Sequence, residues 1–335
     1  MPANPKIFVH GEVYNCCFRT LTGLPLPPNA VVIEILLSCL AKAQMHYPVI
    51  IGDFCFMSNH VHLMIRVIDP TVVDQFFRYF KTESALAINR MMRRQKGPVW
   101  EEGYDSPPVL EHSKYVEKAA YHLLNPQQAD LIERIEHYPH LNSWKALNSE
   151  NGEFSIECYD IRRFDVPLMP VGAISKASAV RLRDSMIRKA KKRKRVVLKI
   201  SPKKCFEAFK RRLDENYSWA THRQVLIEEI RSGERKLSDE RARKGKGILG
   251  SQALRTASMH VEHTPVKHGQ KMICLAEDPE IRVDYINWFR RLVRQYRAAI
   301  GRWRDGDHSV EIPLGFFPPG GMRPRVALLP AEFPF

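Results

Sequence analysis

No Cys-x-x-Cys pair occurs in this chain, although it holds seven cysteines. A zinc ribbon or a dithiol redox motif is thereby excluded, and Cys16, Cys17, Cys39, Cys55, Cys158, Cys205 and Cys274 read as small hydrophobes of a reducing compartment. Long hydrophobic runs are also missing. Nothing approaches the roughly 18 uninterrupted apolar residues of a membrane span. The opening Met1-Pro2-Ala3-Asn4-Pro5-Lys6 lacks the charged-then-apolar order of a secretory signal. The expected location is therefore the cytoplasm. Lys244-Gly245-Lys246-Gly247 lacks the spacing of a P-loop, so it gives no reason to expect nucleotide hydrolysis.

Acidic residues are scarce in one half only. Residues 1–150 carry 14 Lys and Arg against 15 Asp and Glu, whereas residues 151–335 carry 38 against 22, so the net charge of +15 belongs to the second half. Such an asymmetry predicts chemistry in the first half and the holding of a polyanion in the second. With 335 residues, 44% of them hydrophobic and 27% charged, the chain is long enough for two domains. We place the boundary near 150, where Asn151-Gly152 and Pro167-Leu168-Met169-Pro170 mark irregular chain. Residues 1–150 form the expected catalytic domain and 151–335 a basic, mainly helical accessory domain.

The most informative stretch is His60-Val61-His62-Leu63-Met64-Ile65-Arg66-Val67, which follows the turn-like Met57-Ser58-Asn59. Its period of two predicts a strand with Val61, Leu63, Ile65 and Val67 on a core face. His60, His62, Met64 and Arg66 share the other face, and imidazoles one pleat apart are able to hold one metal ion. The spacing fits two solvated histidines equally well. Around this strand the pattern predicts a first strand within Lys6–Thr20 and a helix from Ala30 to Gln44 with Asn29 as N-cap. A buried strand over Tyr47–Phe56 and a long helix over Thr71–Arg94 follow. Gly97–Leu110 reads as a loop with an edge strand, and a helix over Ser113–Leu124 comes next. Lys114, Lys118, Tyr121 and Asn125 form one stripe of that helix. Pro126 is expected to end or kink it, with helix resuming over Gln127–Glu136. Asn125 would then also suit the N-cap of the following helix.

Met57-Ser58-Asn59-His60-Val61-His62-Leu63, the long helix, Gly97-Pro98-Val99-Trp100 and Tyr121-His122-Leu123-Leu124-Asn125-Pro126 stand in an order that resembles the HUH single-tyrosine transposases. Within them the REP-associated tyrosine transposases are the most similar, over roughly residues 6–145. The resemblance implies an α+β fold of the HUH, ferredoxin-like kind, an antiparallel sheet with helices on one face, followed by the basic helical part. It implies a metal-dependent endonuclease and strand transferase acting on single-stranded, hairpin or palindromic DNA. His60, His62 and Asn125 would hold magnesium or manganese, and Tyr121 would form a 5′-phosphotyrosine link. Gln128 is a reserve ligand and Tyr115 a competing nucleophile without an asparagine four residues on. The roughly 100° offset of His122 from Tyr121 turns it away from a role as base.

Candidate DNA contacts are Arg66 beside the histidines, Lys114 and Lys118 on the tyrosine stripe, Arg90, Arg93 and Arg94 at the end of the long helix, and Arg188, Lys191, Lys192 and Arg193 in the basic run. Each also reads as an ordinary solvated charge. Gly247–Arg255 is a weak candidate for a recognition helix. The protein would be nucleoid-associated, with its active site built within one chain or across a homodimer. Two other functions fit the same residues: a domesticated DNA-binding protein that no longer moves DNA, and an unrelated metal phosphoesterase using the His-x-His strand.

Overall fold

The computed structural model describes residues 5–21, 24–170, 172–259, 272–313, 315–317 and 325–327. Of the Phe316–Gly321 tail segment, Pro318 onward lies outside them. At the centre is a five-stranded, mostly antiparallel sheet of order β1-β3-β2-β5-β4. Its strands are β1 Val13–Arg19, β2 Ile50–Phe56, β3 His60–Arg66, β4 Phe154–Cys158 and β5 Val196–Ile200. The α+β class expected from the sequence is what is found.

The histidine strand β3 is internal, antiparallel to β1 on one side and to β2 on the other. Val61, Leu63 and Ile65 are buried on one face, where Phe18 from β1 meets Phe77 and Phe80 at ring distances of 6.0 and 5.7 Å. Those two rings belong to α2, Val73–Met91, which is preceded by a 3₁₀ turn over Pro70–Val72 capped by Asp69. Helix α1, Ala30–His46, begins where Asn29 accepts hydrogen bonds from the amides of Val31 and Val32, the cap expected from the sequence. The opposite face of β3 is covered by α3, His112–Gln128, so helices flank both faces where the sequence pattern suggested one. Met64 is fully buried for this reason. Residues 100–109 run along the free edge of β1, with the Asn15 and Cys17 amides bonded to the carbonyls of Pro107 and Asp105. Prolines there leave the edge without a regular ladder.

Two strands of the sheet, β4 and β5, come from beyond residue 150. β5 pairs in parallel with β2 at Ile51 and Ile200, so the sheet crosses the boundary read from composition. Alternation within β5, where Val196, Leu198 and Ile200 are buried and Val197 and Lys199 exposed, is the strand pattern that the preceding basic run obscured. After the short α4, Trp144–Asn148, the basic stretch forms α5, Lys176–Ala190, and the turn that follows it, with Ser175 accepting from the Ser178 amide as N-cap. Helix α6, Pro202–Phe206, leads to the 25-residue α7, Trp219–Arg243, which packs along α3. Gly233 of α7 approaches so closely that a Cβ there would lie 2.4 Å from Leu124 Cδ1. Gly247–Arg255, the candidate recognition helix, overlaps the six-residue α8, Ser251–Thr256, with Leu254 buried. The last long helix is α9, Pro279–Arg304, burying Tyr285, Trp288, Phe289, Leu292 and Val293. Among the described residues no helix is long and apolar enough to cross a membrane.

Candidate active site

Helix α3 does not stop at Pro126. It continues to Gln128 with the proline inside, so the break and resumed helix expected there are not found, and the cap role for Asn125 falls with them. The physical reason is position: the missing proline N–H leaves only one carbonyl orphaned, one turn back, close to the natural end of the helix. The Ala129 amide still bonds the Asn125 carbonyl at 3.1 Å, keeping Asn125 in helical register with Tyr121. Interactions with α7 hold this last turn. The buried Glu234 carboxylate accepts from Gln127 Nε2 and from the Ile135 amide, both at 2.9 Å, and Arg231 pairs with it at 2.6 Å.

The register of α3 over the sheet sets the site. His60 and His62 lie with ring centroids 4.8 Å apart. Asn125 Nδ2 donates to His62 Nε2 at 3.1 Å, and both residues are buried. The Tyr121 ring stands edge-on to His62 at 5.4 Å and remains 39% exposed, open to a large ligand. Tyr115, the competing tyrosine, is buried with its hydroxyl on the Pro202 carbonyl, and Gln128 is exposed at the helix end. His62, Tyr121 and Asn125 therefore converge from one chain, with His60 at the rim. Burial pulls the His62 pKa well below its ordinary range, helped by the neighbouring His122, His60, Arg19 and Lys118. Its ring is neutral at pH 7 and keeps a lone pair available.

Two imidazoles and an amide oxygen form a three-donor set with room for ligand oxygens, a chemistry that fits a divalent cation. Among the described residues no cluster of three or more His, Cys, Asp or Glu suited to a metal occurs, so any such ion depends on the Asn125 amide.

Asp53 and Asn15, which the sequence pattern did not single out, lie directly behind this set together with His122, which it turned away from a role as base. His122 is completely buried, with Nδ1 against the Asp53 carboxylate and Nε2 2.9 Å from Asn15 Oδ1. Its ring stacks on His62 at 4.8 Å with planes 19° apart. An aspartate within the apolar Val49–Phe56 run was the one sequence trace of this arrangement.

The candidate DNA contacts separate into two groups. Lys114 and Lys118 both bond Glu117, at 2.6 and 2.7 Å, and Lys118 Nζ stays 5.7 Å from the centre of the Tyr121 ring. Arg66 is engaged by two backbone carbonyls. Its Nε donates to the Gly11 carbonyl at 2.9 Å and its Nη1 to the Lys204 carbonyl at 2.8 Å, which ties two loops together. Arg90 donates to the Val166 carbonyl at 3.0 Å and Arg94 to that of Pro98 at 3.5 Å, while Arg93 is exposed. These three end α2, across the sheet from α3. Arg193 is spent internally on the Asp160 carbonyl and the Asp165 carboxylate, whereas Arg188, Lys191 and Lys192 are exposed.

No curated protein matches this chain. Among solved structures, a REP-associated tyrosine transposase bound to a REP hairpin aligns with 43% of this chain and 84% of its own, at 12% identity and a TM-score of 0.38. A family model described as "Transposase IS200 like" matches residues 29–119, a span that takes in α1, β2, the histidine strand, α2 and the start of α3 and ends two residues before Tyr121. The family resemblance read from the motifs is thus met over that span, where residues 29–119 are similar to the IS200-like transposases.

Proposed function

We propose that this protein is a transposase that nicks and rejoins single-stranded DNA through Tyr121. The observation carrying the proposal is the convergence of an accessible tyrosine with a neutral, buried His62 and with Asn125, 3.1 Å from the His62 ring. In this reading Tyr121 Oη loses its proton and attacks a backbone phosphorus. A bond forms between Oη and phosphorus, the bond from phosphorus to the 3′ oxygen breaks, and that oxygen leaves as a hydroxyl after taking up a proton. The 5′ phosphate stays on Tyr121, and attack by another 3′ hydroxyl reverses the step on a new strand. Covalent storage of the phosphodiester lets rejoining proceed without an external energy source.

His60, His62 and Asn125 would hold a divalent ion, magnesium or manganese, which when bound supplies charge stabilisation at a phosphate oxygen. Rotation of the Asn125 amide, so that its oxygen replaces Nδ2 beside His62, is the change this chain must make to complete the set. Lys118, with its Nζ 5.7 Å from the centre of the Tyr121 ring, would place a positive charge beside the incoming phosphate.

Incubation of the full chain with a DNA hairpin and manganese, followed by denaturing electrophoresis, tests the proposal. A protein–DNA adduct is expected from the wild type and none from Tyr121→Phe. Cleavage that survives in the variant would assign the site to a phosphoesterase without a tyrosine intermediate. Hairpin binding without cleavage by either protein would leave a DNA-binding protein.

A further inference from the structure

We infer that Asp53, His122 and Asn15 form a buried positioning chain that fixes His62 and the azimuth of α3. The inference rests on the reading of His62, Asn125 and Tyr121 as the working site. It begins with a backbone irregularity. The pairing of β2 with β3 shifts register between Ile51 and Asp53, so the extra residue Gly52 lets the strand bulge. A Cβ on Gly52 would lie 2.5 Å from Cys205 Sγ of α6, so only glycine fits between the strand and that helix. Bulges re-aim the side chain that follows. Here the following residue is Asp53, directed into the layer between the sheet and α3, where it is 4% exposed.

An isolated carboxylate at that depth is costly, and His122 is the group that offsets it. Its Nδ1 meets Asp53 Oδ1 and its Nε2 meets Asn15 Oδ1 at 2.9 Å, so both edges of the ring are anchored to the sheet, to β2 on one side and β1 on the other. The second carboxylate oxygen, Asp53 Oδ2, has no hydrogen-bond partner among the described residues. Packing alone would not retain such a group, since an apolar residue of the same size would serve better.

The anchored ring has two outputs. It stacks on His62 at 4.8 Å, which limits rotation of His62 about its side-chain bonds. It also follows Tyr121 directly in the chain, so its anchoring sets the rotation of α3 and with it the directions of Tyr121 and Asn125. His122 touches neither the proposed nucleophilic oxygen nor a reacting atom. It is a positioning residue, and partners of this kind are commonly worth about 10–100-fold in metal affinity or activity.

Asp53→Asn keeps the volume and removes the charge, and Asn15→Ala releases the other ring edge at a half-buried position. Three measurements on the full chain decide between anchoring and mere packing: manganese binding by electron paramagnetic resonance, the rate of adduct formation on a DNA hairpin, and the metal-free ¹⁵N resonances of the His62 ring. We expect both variants to melt near the wild-type temperature and to bind the hairpin normally. Manganese affinity and adduct rate should fall by about 10-fold or more. The His62 resonances should change from a single Nδ1–H tautomer to an averaged pair. Unchanged resonances and unchanged manganese affinity in both variants would overturn the positioning chain. A wild type that forms no adduct would overturn the nucleophile reading instead, and the His62 resonances would still decide the positioning claim. If Asp53→Asn fails to fold, the same three measurements on Asn15→Ala decide alone.

Discussion

Asn125 carries the most testable chemistry of any single residue, because its amide must change partners. In the structure its nitrogen faces His62, whereas a hard cation needs its oxygen. Asn125→Asp offers a charged oxygen in either orientation and should lower the manganese concentration for half-maximal adduct formation several-fold. Asn125→Ala should raise it by about 10-fold, in line with losing one oxygen donor. Equal manganese titrations for all three proteins would remove Asn125 from the ligand set. His60, His62, Tyr121 and Asn125 were legible in the sequence because their spacing is local: two residues on one strand, four on one helix. Asp53 and Asn15 were not legible, since they meet His122 only through pairing of β1 and β2 with β3 and through the Gly52 bulge. The 100° offset that set His122 aside was correct geometry applied to an exposed helix. It bears on a base role and not on a positioning one, because α3 is packed on the sheet and turning away from Tyr121 means turning into the core.

Between elements, the contact of α3 with α7 decides whether the tyrosine helix keeps its place. His222 of α7 is fully buried among Tyr115, Phe206 and Trp219, stacked at 5.4 Å on Tyr115 and at 4.7 Å on Phe206. Its Nδ1 shares a 2.9 Å hydrogen bond with His112 Nε2 of α3. Burial, aided by His112, lowers the His222 pKa to about 3, and burial lowers that of His112 as well. Below pH 6.5 the unfolded chain protonates both rings, while the folded chain keeps His222 neutral down to about pH 3 and holds His112 below its ordinary range. Unfolding therefore takes up protons, and stability falls as pH drops from 6.5 toward 3. His222→Phe should flatten that dependence in urea unfolding between pH 7 and pH 4. A slope equal to the wild type would place the acid sensitivity elsewhere. In the same interface Gly233→Val forces atoms into Leu124 and should cost about 1–3 kcal/mol by overpacking. None of this was readable as helix pairing from sequence, because α7 is rich in charge and its buried stripe mixes Trp219, Leu226 and Ile230 with His222, Glu234 and Arg241.

At the scale of the whole molecule, the contrast in charge between the halves was visible in composition, but its structural meaning was not. The second half completes the sheet with β4 and β5 and clamps α3 with α7, so it is part of the layer that builds the candidate site as well as the basic half. The Arg188–Arg195 run shows the difference within eight residues. Arg193 is three-quarters buried on Asp160 and Asp165, while Arg188, Lys191 and Lys192 face solvent. Sequence alone treats these cations as equivalent, since what distinguishes them is whether the chain turns them toward the 160–165 segment. Their variants should separate in two assays. Arg193→Ala should cost about 1–3 kcal/mol of stability by leaving a carboxylate unpaired, with the salt dependence of DNA binding unchanged. The triple change Arg188→Ala, Lys191→Ala and Lys192→Ala should leave the melting temperature in place. If all three contact phosphates, it should reduce the slope of log K against log salt by about 2–3, because each released contact is worth roughly 0.7 on a single strand and 0.9 on a duplex. A slope unchanged in the triple variant would move the polyanion surface off the end of α5 and its following turn, and the exposed arginines of α9 would be the next place to measure.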